Sequence, residues 1–226
     1  MITKDSTPPR VADPPEALRL RVLEAARGHP VPARSDRFLP GLGLAVLAAA
    51  AMAAVLALWG GTAHAAGRPA ASGVWILTGT FALAVVATWL SLPGRRSMLS
   101  PARGQLLAVA IGVPVLVGLW LGLWHTTYAD PFVRTGFRCL ALTAATAPWP
   151  FLALAFASRR LDPRHPGVAG AALGATAGAW AAVMVELWCP LAVPSHVLVG
   201  HVLPLALLSI AGALYGARRF GLRRVK

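Results

Sequence analysis

The stretch V-E-L-W-C-P-L-A-V-P-S-H-V-L-V-G-H, Val185 to His201, puts Glu186, Cys189, His196 and His201 within a single short reach of chain. Carboxylate, thiol and imidazole are the groups that ligate transition metals, exchange disulfides and relay protons. Cys139 is the other thiol of the chain, and His125 is a further imidazole upstream. The spacing of Cys189, His196 and His201 matches no recognised zinc pattern. On a helix of about 3.6 residues per turn, His196 and His201 would point about 140° apart. No metal ligand and no cofactor is therefore expected. The two cysteines read either as a disulfide or redox pair or as two small apolar residues at helix ends. Nothing in the sequence pairs a nucleophile with a base, cradles a phosphate with glycines, or supplies a C-x-x-C, so an enzyme is not expected.

The elements that hold these residues follow from composition. Hydrophobic residues make up 57% of the chain and charged residues 13%, where soluble proteins carry roughly 25% charged residues. Six continuous apolar runs, near Leu39 to Trp59, Val74 to Leu92, Gln105 to Trp124, Arg138 to Ala157, Gly167 to Trp188 and Val197 to Tyr215, have the ~20-residue length that crosses a hydrocarbon layer as helix. Membrane strands would be shorter and alternating. The expectation is an all-α membrane protein, a bundle of six transmembrane helices over residues 39–217. A short cytoplasmic arm with an amphipathic helix occupies residues 1–38, and a basic tail occupies 218–226. The first run follows 38 residues containing Pro, Asp and Glu and precedes five more spans, so it does not read as a cleavable signal.

Lys and Arg set the orientation. Eighteen of the 21 fall in the N-terminal segment, the second and fourth loops and the tail, leaving Arg68, Arg134 and Arg138 for the other side. The positive-inside rule then puts both termini in the cytoplasm. Contact with anionic lipid headgroups accounts for the net charge of +13. Direct nucleic-acid binding is not expected, because the basic residues are scattered over four segments with no recognisable module.

This topology places Val185 to His201 at the outer end of the fifth span and the start of the sixth. Cys139, opening the fourth span, lies on the same side. Counted from a turn near Asp162, the two cysteines differ in height by four residues, about 6 Å at ~1.5 Å per residue. Tilt can absorb that, so the thiols can meet. Glu186 is the only carboxylate within a span, where Arg138 or a histidine could neutralise it. Elsewhere the spans carry small-residue stripes, Gly170, Gly174 and Gly178, Gly118 with Gly122, and Gly212 with Gly216, which suit close packing within one bundle. Trp59, Trp75, Trp89, Trp124, Trp149 and Trp188 read as anchors near span ends, and Pro114 and Pro204 as kinks.

In the arm, D-P-P-E-A-L-R-L-R-V-L-E-A-A-R-G-H-P predicts a helix of about 13 residues between Asp13 and the Gly28 and Pro30 stop. Leu18, Val22, Ala25 and Ala26 share one face, joined by Leu23, while Glu16 and Arg19 lie in its first turns. Such a helix is marginal alone and needs a lipid surface or a protein groove. With P-P-E-A-L-R-L-R-V-L-E-A-A-R in the arm, T-G-F-R-C-L at Cys139, E-L-W-C-P at Cys189 and G-A-R-R-F at the end of the sixth span, the chain resembles the six-span bacterial anti-sigma factors of the NrsF type, among them the myxobacterial CarR-like proteins. The resemblance implies that the arm, through Glu16, Leu18, Arg19, Val22 and Leu23, sequesters an extracytoplasmic-function sigma factor until a signal releases it, so that transcription is negatively regulated. It implies that Cys139 and Cys189 sense the signal, with Glu186 and His196 around them, and a membrane protease or regulatory protein would be a further partner. No H-x-x-x-C-x-x-C is present, so inhibition would proceed without zinc. The alternative from another class is a small membrane redox or metal-handling protein built on the outer Cys/His cluster.

Overall fold

The computed structural model describes residues 15–28, 35–58, 70–92, 101–124, 136–158, 163–189 and 193–221, and every regular element among them is helical. Contacts divide the chain into two units, Met1–Pro32 and Ala33–Lys226.

The first unit carries helix α1 (Glu16–Gly28). Pro15 starts it, its carbonyl accepting from the N–H groups of Leu18 and Arg19 at 2.8 and 3.1 Å. Glu16 sits in the first turn, where a carboxylate complements the helix dipole. Leu18, Leu20, Val22 and Leu23 are 51–61% exposed.

The second unit contains, among the described residues, six helical segments long and apolar enough to cross a membrane: Phe38–Val55, Ala71–Ser91, Arg103–Leu123, Phe137–Ala157, Pro166–Trp188 and Pro194–Arg219. These are the six runs of the sequence, with ends moved by a few residues. Helices α2 (Ser35–Leu58), α3 (Ala70–Ser91) and α4 (Arg103–Leu123) are single spans. Pro114 lies inside α4, as expected. The fourth span is two helices, α5 (Phe137–Thr146) and α6 (Pro148–Ala157). Pro148 and Pro150 have no N–H, which leaves the carbonyls of Ala144 and Thr146 without their helical donors. Bonds from Ala147 to Thr143 and from Phe151 to Ala147, 2.9 and 3.1 Å, bridge the break. Trp149 therefore stands mid-span and 56% exposed, away from the span end expected of it.

The fifth span, α7 (Pro166–Trp188), is the axis of the bundle: 83% of it is buried. Its Gly- and Ala-rich sequence explains how, since a thin helix lets neighbours approach on all sides. The closest is α9 (Leu203–Gly221). A Cβ added at Gly170 would strike the Gly212 carbonyl and the Gly216 backbone, and one at Gly174 would strike the Leu208 carbonyl. The stripes of α7 and α9 thus face each other inside one bundle, as expected. Gly122, by contrast, has nothing within 4 Å of where a Cβ would stand, so the Gly118 and Gly122 pair is not such a seam. Toward α3, hydrogen bonds replace glycines: Ser91 Oγ and Thr176 Oγ1 are 2.8 Å apart, and Trp180 Nε1 donates to Thr88 Oγ1 at 3.0 Å. In a medium without water these pairs fix the rotation of α3 against α7.

The sixth span opens with one turn, α8 (Pro194–Val197), continues as a π-helical turn over Leu198–Val202, and becomes α9. Pro204 cannot donate to the Gly200 carbonyl. The backbone ahead of it has taken the wider register, with the Leu203 N–H bonded to the Leu198 carbonyl, five residues back. The kink expected at Pro204 is expressed as this π-turn.

Candidate functional site

One end of the bundle gathers the first turn of α5, the last turn of α7 and the start of the sixth span. Cys139 lies in the first turn of α5, three residues after Gly136, whose φ of +80° is the left-handed conformation that glycine adopts without strain. Gly136 and Gly200 meet backbone to backbone: a Cβ on Gly136 would stand 2.8 Å from the Gly200 nitrogen, and one on Gly200 would stand 3.0 Å from Cys139 Cβ. Two glycines thereby seat α5 on the π-turn. Cys189 caps α7, its N–H bonded to the Val185 carbonyl at 2.8 Å as the backbone turns extended.

These supports bring four donors together. His196 Nε2 lies 3.1 Å from Cys189 Sγ and 3.4 Å from Cys139 Sγ. One donor atom from each of Cys139, Cys189, His196 and His201 falls within 4.8 Å of all the others. Cys139, Cys189 and His201 are 1% exposed and His196 is 4% exposed. Glu186, also buried, reaches His201: its Oε1 is 2.9 Å from Nδ1. His201 Nε2, on the other side of the ring, makes no hydrogen bond.

The expected meeting of Cys139 and Cys189 occurs, with no disulfide between them. Val185, Leu142 and Trp188 pack around them. Glu186 meets a histidine, one of the two partners foreseen for it, while Arg138 is exposed. His125 lies outside the described residues. The divergence expected of His196 and His201 does not occur: their ring centroids are 5.5 Å apart. The π-turn between them holds one residue more than an α-turn, so side chains five apart face the same way. His201 is thus the site residue that sequence spacing set aside. The signal that could have found it is Pro204, whose missing N–H marks the place where the helical register opens.

Chemically the cluster is a set of soft and borderline donors closed off from water. Cys189 stands one residue past its span. Its contact with the Cys139 thiol, then burial, push its pKa up to about 11, with His196 and His201 acting in the opposite direction. The thiol is protonated at neutral pH, which withholds the thiolate from which disulfide exchange starts. His196 stands between the two sulfurs as a shared partner. Glu186 behind His201 is the arrangement by which a carboxylate fixes an imidazole's tautomer and leaves its other nitrogen to coordinate.

The residues expected to bind a partner are carried by α1, in the first unit: Glu16, Leu18, Arg19, Val22 and Leu23, all exposed. No curated protein and no solved structure matches the chain. A family model does, over residues 25–221, so the match takes in the whole bundle and begins after the exposed face of α1. That family is described as NrsF, negative regulator of sigma F, and the chain belongs to it: a regulatory protein that opposes a sigma factor.

Proposed function

We propose that the protein holds an extracytoplasmic-function sigma factor at the bacterial inner membrane through its N-terminal arm and releases it in response to a signal received at the Cys/His end of the bundle. Both termini are cytoplasmic in this reading, and the Cys/His end faces outward. No reaction is catalysed. The observation that carries the reading is α1: an amphipathic helix in a unit of its own, with Leu18, Val22 and Leu23 exposed on one face. A helix of 13 residues has little stability alone. A groove on a partner would supply the missing core, and the family supplies the partner's class. Around the helix Arg19 falls between Val22 and Leu23, and Glu16 falls beside Leu23, so the two set the register of the apolar face against complementary charges.

The test is Leu18→Asp with Val22→Asp. Burying each such side chain is worth about 1.5–3 kcal/mol, and ~1.4 kcal/mol is a factor of ten in affinity. The double variant is expected to bind sigma at least tenfold more weakly in a pull-down from solubilised membranes and to derepress a sigma-dependent reporter. Full repression by a variant that reaches the membrane in normal amounts removes the arm as the inhibitor. If α1 serves lipid alone, its membrane association falls while repression stays.

A further inference from the structure

We propose that Cys139, Cys189, His196 and His201 form a four-coordinate site for a thiophilic divalent cation of the zinc(II) class, with Glu186 orienting His201. This deepens the sensing role proposed above and rests on it for the link to sigma release.

Geometry comes first. Tetrahedral zinc with Zn–S of about 2.3 Å and Zn–N of about 2.05 Å puts sulfur and nitrogen ligands about 3.6 Å apart and two sulfurs about 3.8 Å apart. The observed nitrogen–sulfur separations of 3.1 and 3.4 Å fall short of that edge by about 0.5 and 0.2 Å, so these donors need only open slightly around an ion. The 4.8 Å limit on all donor pairs leaves no more than about 1.5 Å for the widest pair to close. Three successive spans supply the donors, and each is held by something other than a metal: Cys139 by the Gly136 and Gly200 contact, Cys189 by the cap of α7, and the histidines by the π-turn. The set is therefore assembled before an ion arrives.

The kind of ion follows from the donors and their surroundings. Two sulfurs and two imidazoles select zinc-like ions over magnesium or calcium, which take oxygen. Burial selects the charge. Two thiolates are neutralised by a divalent ion but leave a net negative charge with a monovalent one, and an uncompensated buried charge is expensive. Glu186 adds a further negative charge behind His201, which strengthens the preference. Its contact with Nδ1 makes Nε2, buried and without a hydrogen bond, the coordinating nitrogen. Four protein ligands leave no open position, so the site is of the closed, structural kind and is suited to changing how three spans are clamped together.

The experiment uses the full chain, purified in detergent under anaerobic, reducing conditions and titrated with cobalt(II). The expected result is uptake of a single equivalent, with the visible bands of tetrahedral cobalt and a near-ultraviolet sulfur-to-cobalt charge-transfer band, all erased by one equivalent of zinc(II). Cys189→Ser weakens the charge-transfer band. His201→Ala keeps that band and shifts the visible ones. Glu186→Gln keeps the spectrum and lowers zinc affinity at least tenfold in a chelator competition. Absence of the charge-transfer band in the unaltered chain overturns the site. So does its persistence in the Cys139→Ser, Cys189→Ser double variant, or retention of copper(I) that zinc(II) cannot displace. Sigma retention on membranes, with zinc or with chelator, separates the two readings. Metal bound as described with unchanged retention keeps the site and overturns the sensing role; thiol-dependent release without metal uptake does the reverse.

Discussion

Gly136 shows how much of the cluster depends on one backbone angle. With φ at +80° and the Gly200 nitrogen and His196 carbonyl 2.8 and 2.9 Å from where a Cβ would stand, no other residue fits without moving backbone. Gly136→Ala is expected to cost about 1–3 kcal/mol and to lift the start of α5 off the π-turn. A lower thermal midpoint together with faster maleimide labelling of Cys139 would register it, and an unchanged labelling rate would mean that the contact does not position the thiol. At this scale the sequence was partly legible. Cys139, Cys189 and Glu186 could be placed at one level because helix rise converts residue counts into height. His201 could not, because the argument about its direction assumed regular helical rotation, and regularity fails at that point.

Among the elements, the π-turn decides whether two histidines act together. The two imidazoles are five residues apart and aligned. In a regular helix, residues four apart are only about 40° out of line, whereas residues six apart diverge by about 120°. Deleting Val199 is therefore expected to preserve the four-donor cluster, and inserting an alanine after Val199 to break it. Cobalt spectra of the two variants check this; loss of the tetrahedral signature in the deletion variant would contradict the register argument. The seam between α7 and α9 obeys a stricter rule. A Cβ on Gly212 would meet the Gly170 carbonyl and the Gly174 Cα, backbone that cannot rotate away. Gly212→Ala is expected to cost about 1–3 kcal/mol, read as a lower thermal midpoint in detergent, while Gly122→Ala, with open space around it, is expected to be neutral. The seam was legible as a four-residue glycine spacing, and so was the existence of every span. The break at Pro148 and Pro150 was not read, because a hydropathy run registers apolar character and prolines are apolar enough to pass within it.

For the whole molecule, the uneven distribution of Lys and Arg is the feature that orients everything else. Eighteen of 21 basic residues lie on one side in the proposed topology. Single cysteines introduced at Ser97 and Ser72 are expected to be protected from, and accessible to, an impermeant thiol reagent added from outside, respectively. The reverse pattern would turn the Cys/His cluster inward and put α1 on the wrong side for a sigma factor. The bundle has a temporal consequence too. Its four donors come from the fourth, fifth and sixth spans, and His201 is the last of them to leave the ribosome. A nascent chain halted just after Cys189 has both thiols and neither histidine of the cluster, so the pocket cannot exist until the final span has entered the bilayer and docked on α7. Maturation of the cluster is thereby tied to completion of insertion, while α1, made first, is in the proposed topology already available in the cytoplasm.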